Sequence, residues 1–244
     1  MNYDGIIPKK EISDTVIILA GGFGTRLGSI TSQCPKPMLE VQDKPFLEHL
    51  LIGLEKKGIK KVIFAVSYLY NDIINYFGKE YKSLNISYSI EPEPLGTGGA
   101  LIKALEKVTC NNVWLLNGDT LFLSSCKVSI ETIIKKEWEI IIFSSKVAKN
   151  TRYSTIKIDK TNKVKGIRFN DKTSGIINIG SYLINSEIMY HYDIENLSLE
   201  NNIIPQLIKK GTVYSRVIEK GAFIDIGIEE DLKLANKDIL YNIG

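Results

Sequence analysis

The chain has 244 residues, 44% hydrophobic and 24% charged, the balance of a globular α/β protein long enough to bury a sizeable core. Its net charge of +3 is too small to point to a nucleic-acid surface. Its three cysteines, Cys34, Cys110 and Cys126, lack zinc spacing and suit reduced thiols better than a disulfide scaffold. No apolar run approaches the ~18 residues of a membrane span, and residues 1–14 lack the apolar core of a secretory signal. The expected setting is the cytoplasm, with no membrane and no nucleic-acid partner. Residues 1–14 read as an N-terminal extension; an edge strand, a dimer arm and a loose tail are all open, so a homodimer is compatible with the chain.

Residues 15–20 are a short continuous apolar run and predict a buried strand. Asp43 can cap a helix with Pro45 in its first turn, and Phe46, Leu47, Leu50, Leu51 and Leu54 follow at helical spacing until Gly58 stops it. His49 falls within that pattern and reads as a packed or surface histidine rather than a ligand. Residues 61–66 predict a second buried strand. Asn71 caps a short helix ending near Gly78. Residues 86–90 form a third strand, a helix follows near 99–108, and 112–117 form a fourth strand. This alternation predicts a mainly parallel sheet covered by helices. The second half is denser in strands, at 139–147, 154–159, 164–169 and 176–184, with a hairpin turn at Lys160-Thr161-Asn162. A helix at 200–210, a strand at 213–217 and a helix at 229–241 close the chain. There is no Pro/Ser-rich linker and no internal repeat, so a single domain is expected over 15–244, with halves at about 15–125 and 126–244.

Three polar features fall at the carboxyl ends of predicted parallel strands, where open α/β sheets hold ligands: Ala20-Gly21, Ile90-Glu91 and Asn117-Gly118-Asp119. The first begins a loop reading Gly21-Gly22-Phe23-Gly24-Thr25-Arg26-Leu27, followed by Pro35-Lys36-Pro37. Glycines let backbone N–H groups approach oxyanions closely, and Arg26 and Lys36 add full positive charge. The loop is not a P-loop, which needs Lys-Ser/Thr after its last glycine. It is not a dinucleotide fingerprint either, since the third glycine position holds Leu27.

This stretch resembles the signature of the sugar-1-phosphate nucleotidyltransferases. The resemblance implies a Rossmann-like three-layer sandwich with a mainly parallel mixed sheet, and a nucleotide half preceding a sugar half. It implies that Ala20, Gly21, Gly22, Gly24, Thr25 and Arg26 hold a nucleoside triphosphate, with Arg26 and Lys36 catalytic. The Asn117-Gly118-Asp119 element and the later Phe223-Ile224-Asp225-Ile226-Gly227 element are similar to the family's two metal-ligand motifs, so Gly118 joins the nucleotide site and Asp119 and Asp225 are the expected ligands. Both carboxylate and polyphosphate are hard oxygen donors, and Mg²⁺ is the expected ion. Turn or helix-cap roles for Asp119 and Asp225 remain the alternative.

The segment Glu91-Pro92-Glu93-Pro94-Leu95-Gly96-Thr97-Gly98-Gly99 resembles the family's base-wrapping element, which adds Glu91, Gly96 and Thr97 to the nucleotide site. A carboxylate accepts from both N1–H and N2–H₂ of guanine, so Glu91 favours GTP; alternatively Glu91 and Glu93 are exposed turn acids. Asp171, Lys172, Gly175, Asn178 and Glu200 match the family's sugar-phosphate positions, with Asp171 shortened from a glutamate. Ser198, before Glu200, reads equally as a helix cap. Ser154 of Arg152-Tyr153-Ser154 replaces a family glycine. Within the family the texture is nearest the branch joining GTP to a heptose 1-phosphate for cell-surface polysaccharide precursors. Mannose 1-phosphate is the nearest alternative acceptor, and UTP, dTTP or CTP are alternative donors. A nucleotide-sugar-binding module without catalysis is disfavoured by the presence of Arg26, Lys36, Asp119 and Asp225 together. A glycosyltransferase is disfavoured because the strand ends in Asn-Gly-Asp rather than a paired Asp-x-Asp.

Overall fold

The structure, a computed structural model, describes residues 13–22, 34–122, 137–147, 153–168, 174–218 and 223–242. In chain order the elements are β1 (Thr15–Leu19), β2 (Glu40–Val41), β3 (Lys44–Pro45), α1 (Phe46–Lys56), β4 (Lys61–Val66), α2 (Tyr70–Phe77), β5 (Glu80–Tyr81), β6 (Leu84–Ile90), α3 (Gly96–Leu105), β7 (Asn112–Asn117) and β8 (Thr120–Phe122). They continue with β9 (Ile140–Val147), β10 (Thr155–Ile158), β11 (Val164–Arg168), β12 (Gly175–Asn185), α4 (Ile204–Lys210), β13 (Val213–Ile218), β14 (Phe223–Asp225) and α5 (Glu229–Asn242).

Ten strands form one mixed sheet. Its main parallel run is β7-β1-β4-β6, and β13 pairs parallel with β9 elsewhere in the sheet. Beyond β7 the long strand β12 runs antiparallel, pairs on its other side with β9, and meets β10 through Ile177. Because the parallel strands are covered on both faces, their side chains alternate between two cores rather than between core and water. Val16 and Ile18 pack with α1 and α2, whereas Ile17 packs with α3 and α4. That is the expected three-layer arrangement. A third cluster, built on Trp138, Ile141, Phe143 and Leu183, sits under the antiparallel half. Among the described residues no helix is long and apolar enough to cross a membrane.

Two predicted helix starts differ. Asp43 does not cap α1: Gln42 and Asp43 both take positive φ, 54° and 61°, as the turn of the small β2–β3 hairpin. The helix begins after Pro45, without a side-chain cap. Asn71 lies inside α2, whose N-cap is Leu69 at φ 55°. Asp43 is absorbed by a hairpin turn, and Asn71 by a helix that starts one residue earlier. His49 is packed, 6% exposed, with Nε2 2.7 Å from the Val41 carbonyl.

Candidate active site

The carboxyl ends of β1, β4, β6 and β7 are tied to one another by main-chain bonds. Ala20 N donates to the Ala65 carbonyl (2.8 Å), Glu91 N to Val66 (2.8 Å) and Gly118 N to Leu19 (2.9 Å). A cleft of about 450 Å³ opens there, lined by Gly21, Gly22, Lys36, Glu91, Gly96, Thr97, Asn117 and Asp119. A smaller lobe of about 200 Å³ adjoins it, lined by Tyr153, Ser154, Asn178, Tyr182, Glu200 and Asp225. Lys36, Asn117, Asp119 and Gly227 line both, so a cation and a carboxylate stand where the two lobes meet.

Lys36 is placed by the tight turn Lys36–Met38, closed by Met38 N to the Pro35 carbonyl at 2.8 Å. The flanking prolines fix φ on either side. Its ammonium pairs with Asp119, the two side chains being 13% and 29% exposed. Asp119 sits in the turn between β7 and β8. β8 pairs antiparallel with β14, setting Asp225 opposite Thr120, and Ile226 N donates to the Asp119 carbonyl at 3.0 Å. Two carboxylates from residues over a hundred apart thus reach one wall, although Asp225 also accepts a hydrogen bond from Gly227 N. Among the described residues no three His, Cys, Asp or Glu side chains gather. The pair therefore fits an ion that takes one or two carboxylates and completes its shell with phosphate oxygens and water, as Mg²⁺ does.

Glu91 is not an exposed turn acid. It is 6% exposed, and its Oε2 accepts from Leu95 N at 3.0 Å. Burial pushes its pKa above the ordinary 4.5, more than the Leu95 N–H and the charge of Lys103 pull it down. An acceptor-only group at the wall of an apolar-walled cleft suits a ligand edge carrying adjacent donors.

In the smaller lobe, side chains bind one another. Asn178 Oδ1 accepts from Gly180 N (3.0 Å), Asn178 Nδ2 donates to the Tyr182 hydroxyl (2.7 Å), and that hydroxyl donates to Glu200 Oε1 (3.1 Å). The register of β12 against β9 shifts between Asn178 and Ser181, where Gly180 takes φ +70°. A Cβ there would lie 2.4 Å from the Asn117 amide nitrogen. The bulge re-aims Asn178 into the lobe, and only glycine lets β12 pass over Asn117.

The structure brings together Gly21, Gly22, Lys36, Glu91, Gly96, Thr97 and Asp119 in one lobe, and Asn178, Glu200 and Asp225 in the other. Ala20, Gly118 and Gly175 do not line either. Ala20 is buried, and a Cβ at Gly118 would lie 2.8 Å from the Leu19 carbonyl, so Gly118 serves the join between β7 and β1. Gly24, Thr25, Arg26, Asp171 and Lys172 lie outside the described residues. The glycines after Gly96 serve protein contacts: Gly98 N and Gly99 N donate to the Leu197 carbonyl at 2.7 and 3.3 Å. Ser198 caps the turn Leu199–Ile203 by accepting from Asn201 N. Sequence reasoning left out Asn117, on both walls with its Oδ1 buried and unpartnered among the described residues, and Tyr182. Asn117 announces itself as the polar residue that ends the apolar run Val113–Leu116, whereas Tyr182 is hidden within a strand.

Residues 15–242 match the family described as nucleotidyl transferase. The chain is 38% identical over 233 residues to D-glycero-alpha-D-manno-heptose 1-phosphate guanylyltransferase of Aneurinibacillus thermoaerophilus, covering 93% of this chain and 99% of that protein. It is 39% identical over 218 residues to the protein of the same name from Campylobacter jejuni, covering 88% and 95%. Its fold superposes on HddC from Yersinia pseudotuberculosis complexed with GMP-PN with a TM-score of 0.79 at 34% identity, covering 92% of this chain and 98% of that one.

Proposed function

The chain belongs to the nucleotidyl transferase family, and we propose that it joins GTP to D-glycero-α-D-manno-heptose 1-phosphate, releasing pyrophosphate and GDP-D-glycero-α-D-manno-heptose. The relatives that share its length carry that activity in their names. The observation that carries the reading is the pair of adjoining lobes with Lys36 and Asp119 on their common wall. One lobe suits a nucleotide whose guanine N1–H and N2–H₂ donate to Glu91; the other suits a sugar phosphate.

The chemistry follows from charge. A sugar 1-phosphate is mostly dianionic near neutral pH, its second pKa being ~6, so it needs no general base. One of its oxygens attacks the α-phosphorus in line, the bond from that phosphorus to the bridging oxygen breaks, and pyrophosphate carries the electron pair away. What opposes reaction is repulsion between two anions. Lys36, between the lobes, offsets that repulsion and fixes the approach. Asp119 and Asp225 would hold Mg²⁺, which supplies further charge neutralisation at the phosphates when bound. Arg26 is assigned to the departing pyrophosphate.

The test is pyrophosphate release with each nucleoside triphosphate, Mg²⁺ and a panel of sugar 1-phosphates. The largest kcat/KM is expected for GTP with the heptose 1-phosphate, above mannose 1-phosphate. Release from no pair overturns the enzyme reading; release with UTP or dTTP but not GTP overturns the role given to Glu91.

A further inference from the structure

Thr97 stands on the nucleotide side, in the first turn of α3, yet its hydroxyl is turned to the other lobe. It donates to Glu200 Oε2 at 2.8 Å and accepts from Leu199 N at 2.9 Å. The backbone around it makes that reach possible. Leu197 N donates to the Leu95 carbonyl at 2.9 Å, and Gly98 N returns the bond to Leu197. A Cβ on Gly99 would lie 2.0 Å from the Glu195 carbonyl, and one on Gly96 2.5 Å from that of Leu197. The glycine run therefore lets residues 195–199 lie directly on the start of α3.

Glu200 is thus gripped from two sides, by Thr97 and, at 3.4 Å, by the Ser198 hydroxyl at one oxygen, and by the fully buried Tyr182 at the other. Every donor in the chain Gly180–Asn178–Tyr182–Glu200 runs toward this one carboxylate. A carboxylate has about four lone-pair sites. Three are taken by Thr97, Ser198 and Tyr182, and the one left over on Glu200, which lines the smaller lobe, can accept from a hydroxyl of a sugar.

We propose that Thr97 and Tyr182 are positioning residues for the acceptor sugar, holding Glu200 so that it reads a sugar hydroxyl, and that Thr97 serves the sugar rather than the nucleotide. The inference deepens the guanylyltransferase reading and rests on it. It moves Thr97 out of the nucleotide site, where the resemblance to a base-wrapping element puts it.

Steady-state kinetics on the full chain test it, with Thr97→Val and Tyr182→Phe as probes and Thr97→Ser as the conservative variant. Val and Phe should each raise KM for the heptose 1-phosphate roughly fivefold to tenfold, the scale of one lost hydrogen bond. KM for GTP should stay near wild type, and Thr97→Ser, which keeps the hydroxyl, should leave KM for the heptose 1-phosphate near wild type too. A merely structural role would move both KM values together. That outcome, a rise confined to GTP, or no change in either, overturns the proposal while the guanylyltransferase reading stands. If the wild-type chain turns over no pair, that reading fails instead. Calorimetric binding of the heptose 1-phosphate then decides: weaker binding to both variants upholds the positioning role, and equal binding ends it. Should Thr97→Val fail to fold, Tyr182→Phe carries the comparison, since it removes a single oxygen.

Discussion

The two lobes are built in different ways. The larger lobe, proposed for the nucleotide, is walled by backbone and small residues, Gly21, Gly22, Ala65, Gly96 and Ala100, with one buried acid, Glu91, among them. The smaller lobe, proposed for the sugar, is walled by polar side chains, Asn178, Tyr182, Glu200 and Asn117, three of which bind one another. Parallel strands ending together present main chain and leave room for a large ligand. The antiparallel strand β12, bent by its bulge, presents side chains instead. A polyphosphate with a flat base needs close backbone approach and an edge to read; a sugar needs oriented acceptors and donors.

If the lobes meet at Lys36 and Asp119, the largest effect belongs there. Asp119→Asn should lower kcat roughly 10²–10³-fold, as loss of one charge partner in a transition state does, with either acceptor sugar and with little change in melting temperature. Near wild-type turnover would remove Asp119 from the shared wall. Next in size is the contact that joins the lobes. Gly99→Ala places a Cβ against the Glu195 carbonyl and should cost about 1–3 kcal/mol, as overpacking does. That should lower the melting temperature by roughly 2–4 °C per kcal/mol for a chain of this size. An unchanged melting temperature would mean that residues 195–199 do not lie on α3.

The same contrast decides what was legible in the sequence. The parallel part could be read because its signals are local: residues 16–20, 62–66 and 113–116 are continuous apolar runs, and each polar feature follows its strand at once. Hence the strand-end placement of Ala20-Gly21, Glu91 and Asn117-Gly118-Asp119 came through. The sugar network could not be read in the same way, because Thr97 and Glu200 are 103 residues apart. Nothing local marks Thr97 as the partner of a distant carboxylate, and its glycine-rich setting points elsewhere. Tyr182 lies in an apolar run where a tyrosine reads as core, which it also is, at 0% exposure. Asp43 and Asn71 show the local limit: each has the chemistry of a cap, but turns at Gln42-Asp43 and at Leu69 take the chain into its helix instead.

Glu91 should confine its effect to the nucleotide lobe. Glu91→Gln should reduce the preference for GTP over other nucleoside triphosphates by about 1–3 kcal/mol, or roughly fivefold to a hundredfold, the usual discrimination of a good bidentate pair. KM for the sugar phosphate should be unchanged. Because burial raises the Glu91 pKa above 4.5, the accepting, ionised form is lost as pH falls through that raised value. The wild type should therefore lose affinity for GTP on acidification sooner than an ordinary glutamate would dictate, and the Gln variant should not. Stability of the free protein has the opposite slope: the folded chain binds the extra proton, so this group's contribution declines as pH rises from 4.5 through the raised pKa. A GTP profile identical in the two proteins would detach Glu91 from the base.

The smallest effect should come from Gly175, which the family resemblance places at the sugar. A Cβ added there meets only Thr155 Cγ2, at an ordinary 3.8 Å, and Gly175 is not on the wall of the smaller lobe. Its neighbour in the sheet is Val147 of β9, an ordinary antiparallel pairing that alanine sustains. Gly175→Ala should leave stability within about 0.5 kcal/mol, as surface substitutions usually do, and should leave KM for the sugar phosphate unchanged. The contrast with Gly180, where an added Cβ would lie 2.4 Å from the Asn117 amide nitrogen, is the informative one. Both glycines belong to one motif and one strand, but only Gly180 stands where backbone and side chain meet at the wall between the lobes. A clear rise in KM for the sugar phosphate in Gly175→Ala would extend the sugar lobe to the start of β12 and make its wall, at that point, backbone after all.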